Sequence, residues 1–211
     1  MDRIDAALHE VMEEKYSGRR MGASLKCAEF AILGARVLRL MSGLSYHAVA
    51  GSQIVEFGNQ QFTLISPTRS ERRGAKKLAD IRQYHCCIEC DHATPGKNTN
   101  RLELIDFTDR YTDKIAKLLR HPPINFHQRN YFWEWADAVD FPIPESLIAH
   151  PSIRPRKSGW RWTDNICTRL LDKYESENHV YFSITTPQIL HRLADHTETL
   201  IRESADSNGC V

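Results

Sequence analysis

Three residues that lie far apart in the chain have the side chains that thiol-based catalysis needs: Cys27, His85 and Asp106. Cys27 follows Ser24 by three residues, in the first turn of a predicted helix. Unpaired backbone N–H groups and the helix dipole favour a thiolate there. An imidazole oriented by a carboxylate can take the proton from such a thiol. These residue types predict a Cys-His-Asp triad that attacks a carbonyl carbon.

Two predicted strands bring His85 and Asp106 together. If the loop Asp91–Asn100 closes symmetrically, Cys90 lies opposite Arg101 and His85 lies opposite Asp106. Opposed residues on one face of an antiparallel pair have Cβ atoms about 4.5 to 5.5 Å apart, so the carboxylate can accept a hydrogen bond from the imidazole. A slip of two residues leaves a diagonal contact within reach, whereas a slip of one places the side chains on opposite faces.

The elements around these residues follow from the spacing of the apolar side chains. The predicted order is an amphipathic helix, a buried helix, four strands, a short helix and an α-rich C-terminal third. The predicted helices are Arg3–Tyr16, Leu25–Met41, Asp109–Arg120, Thr163–Glu175 and Pro187–Glu203, and the predicted strands are Ser45–Phe57, Gln61–Ser66, Tyr84–Cys90, Leu102–Thr108 and His179–Thr185. Gly43 is expected to end the buried helix, Gly58-Asn59 to form a hairpin turn, and Thr186-Pro187 to begin the last helix.

Three segments resemble the transglutaminase-like superfamily in their order and spacing. The first runs from Lys26-Cys27-Ala28-Glu29-Phe30-Ala31 through Leu38 to Met41–Gly51. The second, Tyr84–Cys90, resembles the His-Ala-Trp strand of the family, and the third, Leu102–Thr108, resembles its aspartate strand. Cys87 stands where the family has tryptophan, Phe107 where it has proline, and Lys26 where a tryptophan often precedes the nucleophile.

The resemblance implies an α+β fold with a papain/transglutaminase-like core, in which a buried N-terminal helix packs on an antiparallel sheet. We expect residues 1–120 to form this core and residues 121–211 to form a mainly α-helical extension packed on it. The implied roles are Cys27 as nucleophile, His85 as base and Asp106 as the group that orients the imidazole. The backbone N–H of Cys27 is the expected donor to the oxyanion.

The chemistry that this implies is amide hydrolysis or acyl transfer on a protein or peptide substrate. The Cys27 thiolate attacks the amide carbonyl to form a thioester, and His85 protonates the leaving amine. The acyl group then passes to water, as in a thiol protease or a glutamine deamidase, or to an amine, as in a crosslinking enzyme. We favour hydrolysis, with the C-terminal third as a specificity element. No metal or organic cofactor is required.

The composition is that of an ordinary soluble globular protein. The chain has 211 residues, 41% hydrophobic and 26% charged, and a formal net charge of +1, so there is no general attraction for nucleic acid or anionic lipid. We expect no membrane span and no signal peptide, because the N-terminus is charged at once and no apolar run approaches about 20 residues. Six cysteines without the spacing of a disulfide scaffold indicate reduced thiols, in the cytoplasm or after delivery into the cytosol of another cell.

Other interpretations remain open at this stage. The chain can be an inactive transglutaminase-like interaction protein, or a zinc-binding protein in which Cys87 and Cys90 have ligand spacing beside His85 and His92. His47, on a predicted strand, is an alternative base. Nucleic-acid binding is an unfavoured alternative that depends on two basic segments, and the aromatic cluster Tyr131–Trp135 is expected to form the core of the C-terminal third. The basic segments are Arg69–Lys77 and Arg154–Arg161, the second followed by Trp162.

Overall fold

A computed structural model describes residues 1–19, 21–56, 62–92, 101–118, 129–135 and 161–208. The helices are α1 (Asp2–Tyr16), α2 (Cys27–Ser42), α3 (Arg69–Gly74), α4 (Thr112–Leu118), α5 (Asn165–Glu177) and α6 (His179–Asn208). The strands are β1 (Tyr46–Glu56), β2 (Phe62–Ile65), β3 (His85–His92), β4 (Arg101–Asp106), β5 (Phe132–Trp135) and β6 (Arg161–Thr163). The predicted turn Gly58-Asn59 and residues 154–160 of the second basic segment lie outside the described residues.

The strands form one antiparallel sheet in the order β2-β1-β3-β4-β5, and β6 pairs with Gly51–Gln53 of β1. Helix α2 packs against β1 and β3, and α1 and α6 contribute to the same hydrophobic cluster. The expected mixed fold, with an antiparallel sheet and a buried helix against it, is therefore confirmed. None of the helices in the described ranges is long and apolar enough to cross a lipid bilayer.

The close approach of α2 to the sheet depends on Gly34. A Cβ atom at this position would lie 2.7 Å from both Ile88 Cδ1 and Phe107 Cε2, which is well inside van der Waals contact. The helix ends as expected at Gly43, which has a φ of 72° in the left-handed region. Because β3 and the residues after β4 touch the middle of α2, the start of the helix is fixed relative to the ends of these strands.

The prediction of a strand at His179–Thr185 is wrong, because these residues begin the 30-residue helix α6. Phe182 is fully buried in the main cluster and Ile189 continues the same apolar face, so packing overrides the β propensity of the local sequence. The side chains of Thr185 and Thr186 donate to the carbonyl oxygens four residues earlier. Thr186-Pro187 therefore lies inside the helix and does not begin it.

The predicted pairing of β3 with β4 is shifted by two residues. His92 lies opposite Arg101 and Cys90 lies opposite Glu103, whereas a symmetric loop would place Cys90 opposite Arg101. The strands extend further toward the loop than expected, and the observed register places Asp106 diagonal to His85 and not directly opposite it. A shift of two keeps every side chain on its original face.

The aromatic cluster is not the core of a helical unit. Its residues Phe132–Trp135 form β5, which pairs with β4 in the sheet. Phe132 is buried against Leu104, while Trp133 is 41% exposed. The first basic segment contains α3, which begins with a capping box between Thr68 and Glu71.

Candidate functional site

The predicted His–Asp pair is present and buried. The His85 Nε2–H donates to Asp106 Oδ2 at 2.7 Å, and the two side chains are only 7% and 1% exposed. Although the residues are diagonal rather than directly opposed, the bond forms because diagonal side chains on one face lie within reach. The bond to Nε2 leaves the lone pair of the neutral ring on Nδ1, which is the state a general base needs.

The carboxylate of Asp106 is held from its other side by Thr108. Its Oδ1 accepts hydrogen bonds from the Thr108 backbone N–H at 2.8 Å and from the Thr108 hydroxyl at 2.6 Å. A second contact braces the same segment, since the His9 ring of α1 bonds to the Phe107 carbonyl at 2.7 Å. The Asp106 carboxylate therefore accepts hydrogen bonds from the His85 ring, the Thr108 backbone N–H and the Thr108 hydroxyl. A carboxylate held in this way is suited to orienting an imidazole.

Cys27 is the first residue of α2 and is partly exposed. Within the described residues no side chain caps this helix start, so the first N–H groups keep their hydrogen-bonding capacity for another acceptor. The pKa of the Cys27 thiol is lowered, chiefly by a hydrogen bond from the Cys86 thiol, with further contributions from the charge of His85 and the Cys86 backbone N–H; burial acts in the opposite direction. The surroundings of Cys27 therefore favour the thiolate form of its side chain.

Cys86 is a neighbour of Cys27 that the sequence did not single out. Burial and its hydrogen bond to Cys27 raise the pKa of the Cys86 thiol well above its usual value, so Cys86 remains a donor while Cys27 ionises. Hydrogen bonds to the Cys27 sulfur come from Cys86, and His85 acts on it through its charge. The signal in the sequence was the position of Cys86 next to His85, with its side chain on the helix-facing side of β3.

A second unforeseen neighbour is the buried Glu29, two residues after Cys27. Its Oε1 accepts hydrogen bonds from Tyr16 at 3.3 Å and Tyr174 at 3.1 Å, and it pairs with Lys26 at 3.3 Å. The charge of Glu29 acts against ionisation of Cys27. Tyr174 lies on α5, so the C-terminal third contributes directly to the surroundings of Cys27.

The alternative base, His47, is placed elsewhere. It lies on β1 opposite Glu89 and its side chain is exposed. The charge that acts on Cys27 comes from His85 and not from His47. Of the two histidines, His85 is the one with a buried carboxylate partner.

A second histidine–carboxylate pair lies on the same two strands. The His92 Nε2–H donates to Glu103 Oε2 at 2.8 Å. The same oxygen accepts from the Tyr46 hydroxyl at 2.8 Å, and Glu103 Oε1 accepts from the Trp133 indole N–H. Cys90 lies directly opposite Glu103, so this end of the sheet also combines a thiol, an imidazole and a carboxylate.

Of the zinc ligands considered from the sequence, Cys90 and His92 converge in the described part of the chain, and Glu103 is the ligand that was not considered. Cys87 and Cys90 are three positions apart on β3, so they point to opposite faces of the sheet. The group of potential ligands in the structure is Cys90, His92 and Glu103, whose ligand atoms all lie within 4.8 Å of one another.

Comparison with known proteins adds no relative. The chain matches no protein family model, no curated protein and no solved structure.

Proposed function

We propose that the protein is a cysteine amide hydrolase or acyltransferase of the transglutaminase-like type, with Cys27, His85 and Asp106 as its catalytic residues. The observation that carries the proposal is the buried His85–Asp106 hydrogen bond of 2.7 Å beside a thiol whose pKa is lowered in part by the charge of His85. The three proposed residues are separated by 58 and 21 positions in the sequence.

The proposed reaction begins with transfer of the Cys27 proton to Nδ1 of His85. The thiolate sulfur then forms a bond to the carbonyl carbon of an amide, and the negative charge moves to the carbonyl oxygen, near the N–H groups at the start of α2. His85 returns the proton to the departing amine as the C–N bond breaks. Water or a second amine finally attacks the thioester and regenerates the thiol.

The hydrogen bond to Asp106 gives each step the correct form of the imidazole. Because Nε2–H donates to the carboxylate, the neutral ring offers its lone pair at Nδ1. When the ring gains a proton, the buried carboxylate stabilises the resulting cation. The bonds from Thr108 to Oδ1 keep Asp106 from rotating away from the ring.

Formation of an acyl-enzyme tests the proposal without knowledge of the natural substrate. We expect p-nitrophenyl acetate to give a burst of p-nitrophenolate and an acetyl group on the Cys27 peptide, found by mass spectrometry. Cys27→Ser should abolish the adduct at this position, and His85→Ala should slow its formation about 10²- to 10⁴-fold, as expected for loss of a general base.

His92→Ala is the matched control, because it removes a histidine–carboxylate contact from the same strand pair. It should leave the burst unchanged. Acetylation spread evenly over several cysteines, or a His85→Ala rate equal to that of the unmodified chain, would favour the inactive interaction protein over the enzyme.

A further inference from the structure

The strand end that carries Cys90, His92 and Glu103 has the features of a metal site. Cys90 and Glu103 are directly opposed on β3 and β4, and His92 is two residues further along the same face. Cys90 is 1% exposed and Glu103 is 4% exposed, whereas the His92 side chain is 29% exposed. Two ligands are thus enclosed, and the third lies where the site meets solvent.

We propose that Cys90, His92 and Glu103 bind a Zn²⁺ ion. A thiolate sulfur, an imidazole nitrogen and a carboxylate oxygen are all common ligands of zinc. The charges also balance, because one thiolate and one carboxylate neutralise the two positive charges of the ion, which reduces the cost of burying it. A fourth position is left for water on the side of the exposed edge of His92.

The geometry requires only a small inward movement of the side chains. In tetrahedral zinc sites the ligand atoms are roughly 3.5 Å apart, given metal–ligand bonds of about 2.0 to 2.3 Å. The atoms of Cys90, His92 and Glu103 lie within 4.8 Å of one another. Closure by about 1 Å is within the range of ordinary rotamer adjustments of these side chains on a fixed backbone.

The side chains around Glu103 and His92 already make the contacts to the ligands that surround a typical metal site. Tyr46 and Trp133 both donate hydrogen bonds to its carboxylate, and the Trp135 ring packs edge-on against His92 with centroids 5.0 Å apart. Outer contacts of this kind orient the ligands and raise metal affinity. They come from β1 and β5, so the site draws on both neighbours of the β3–β4 pair.

Zinc takes the place of the proton that His92 now shares with Glu103. The ring proton moves from Nε2 to Nδ1 and leaves Nε2 free to bind, and the Cys90 thiol releases its proton to solvent. Tyr46 and Trp133 continue to donate to the carboxylate. The site is separate from the proposed triad, because the seven residue steps of extended strand from His85 to His92 span about 23 Å.

Competition for Zn²⁺ between the reduced full-length chain and a chromophoric chelator tests the proposal. We expect one equivalent to bind, and Cys90→Ala or His92→Ala to weaken binding at least 100-fold. Cys87→Ala and Cys27→Ser are the matched controls, since they remove thiols outside the proposed site. Both should keep the affinity of the unmodified chain, and zinc binding that survives Cys27→Ser separates this proposal from the proposed enzyme activity.

X-ray absorption at the zinc edge keeps the test decisive if a variant fails to fold. The unmodified chain should show one sulfur at about 2.3 Å and two or three nitrogen or oxygen atoms at about 2.0 to 2.1 Å. Several sulfur ligands, ligation by nitrogen and oxygen alone, or equal affinity of the Cys90→Ala chain and the unmodified chain would overturn the proposal.

Discussion

The two ends of the β3–β4 pair each carry a histidine bonded to a carboxylate beside a cysteine, and they differ mainly in where the thiol comes from. His85 bonds to Asp106 at 2.7 Å, and His92 bonds to Glu103 at 2.8 Å. At the first end the sulfur belongs to a residue at the start of a helix. At the second end it belongs to Cys90, in the middle of the sheet.

The pKa values of these two thiols are shifted in opposite directions. Hydrogen bonds from Cys86 and the charge of His85 lower the pKa of Cys27, whereas burial and the charges of Glu103 and Asp91 raise the pKa of Cys90. A helix start can stabilise a thiolate by itself, but a strand interior cannot. The same three residue types are therefore combined with a lowered thiol pKa at one end and a raised thiol pKa at the other.

The carboxylates are also held in different ways. Asp106 is fixed by the backbone and hydroxyl of Thr108, two residues away in sequence. Glu103 is fixed by Tyr46 and Trp133 from neighbouring strands. The contacts of Asp106 set the direction of a single hydrogen bond to an imidazole. The contacts of Glu103 hold its carboxylate in place as a ligand for the proposed zinc ion.

Replacement of each carboxylate by its amide gives the largest expected contrast. In Asp106→Asn the amide oxygen stays with the Thr108 donors, and its NH₂ group faces His85 and forces the proton onto Nδ1. Acetylation of Cys27 should slow by about 10²- to 10⁴-fold, as expected for a wrong tautomer, with zinc binding unchanged.

Glu103→Gln is the reciprocal variant. It should weaken zinc binding at least 100-fold and leave the Cys27 burst rate intact. If both variants impaired both properties to the same extent, the two ends would be one cooperative structural unit and not two sites.

A substitution in α2 should lower the stability of the fold without acting on one proposed site more than on the other. Gly34→Ala forces a methyl group against Ile88 and Phe107, and overpacking of this kind costs about 1–3 kcal/mol. Chemical denaturation should report the loss. Gly74→Ala is the control, because a Cβ there meets nothing within 4 Å, and it should be neutral or slightly stabilising. An unchanged unfolding midpoint for Gly34→Ala would show that α2 does not pack as described.

A further pair of variants concerns the groups that hold the carboxylates. Tyr46→Phe and Thr108→Val each remove a side-chain hydrogen bond to a buried carboxylate, which should cost about 1–3 kcal/mol of folding stability. Beyond this shared loss, Tyr46→Phe should weaken zinc binding about 10-fold, and Thr108→Val should slow only the acetylation of Cys27. Identical functional profiles for the two variants would remove the distinction between the ends.

The sequence was sufficient to predict α1, α2, the first four strands and the His85–Asp106 pair, because each has a clear periodicity or a direct partner. It was not sufficient for the register of β3 and β4. Registers that differ by two residues bury the same side chains, so the apolar pattern cannot separate them. This shift hid the second site, since the predicted pairing placed Cys90 opposite Arg101 and not opposite Glu103.

The surroundings of Cys27 were beyond sequence reasoning for a different reason. Tyr16, Tyr174 and Glu29 belong to three helices that meet only in the folded chain. The beginning of α6 was misassigned because Val180 and Ile184 favour strands locally, while burial of Phe182 between helices decides the conformation. Both failures concern long-range packing, which leaves little trace in local patterns.

The rate of iodoacetamide alkylation at each cysteine, followed across pH by mass spectrometry, tests the central claim most directly. Because the pKa of Cys27 is lowered in the folded chain, its alkylation should already be fast at neutral pH, with a midpoint well below the ~8.5 of a free thiol, and His85→Ala should move that midpoint upward. Cys86, Cys90 and Cys167, whose pKa values are raised by burial, should react far more slowly. Equal rates at all these cysteines, or a Cys27 midpoint at or above that of a free thiol, would contradict the account.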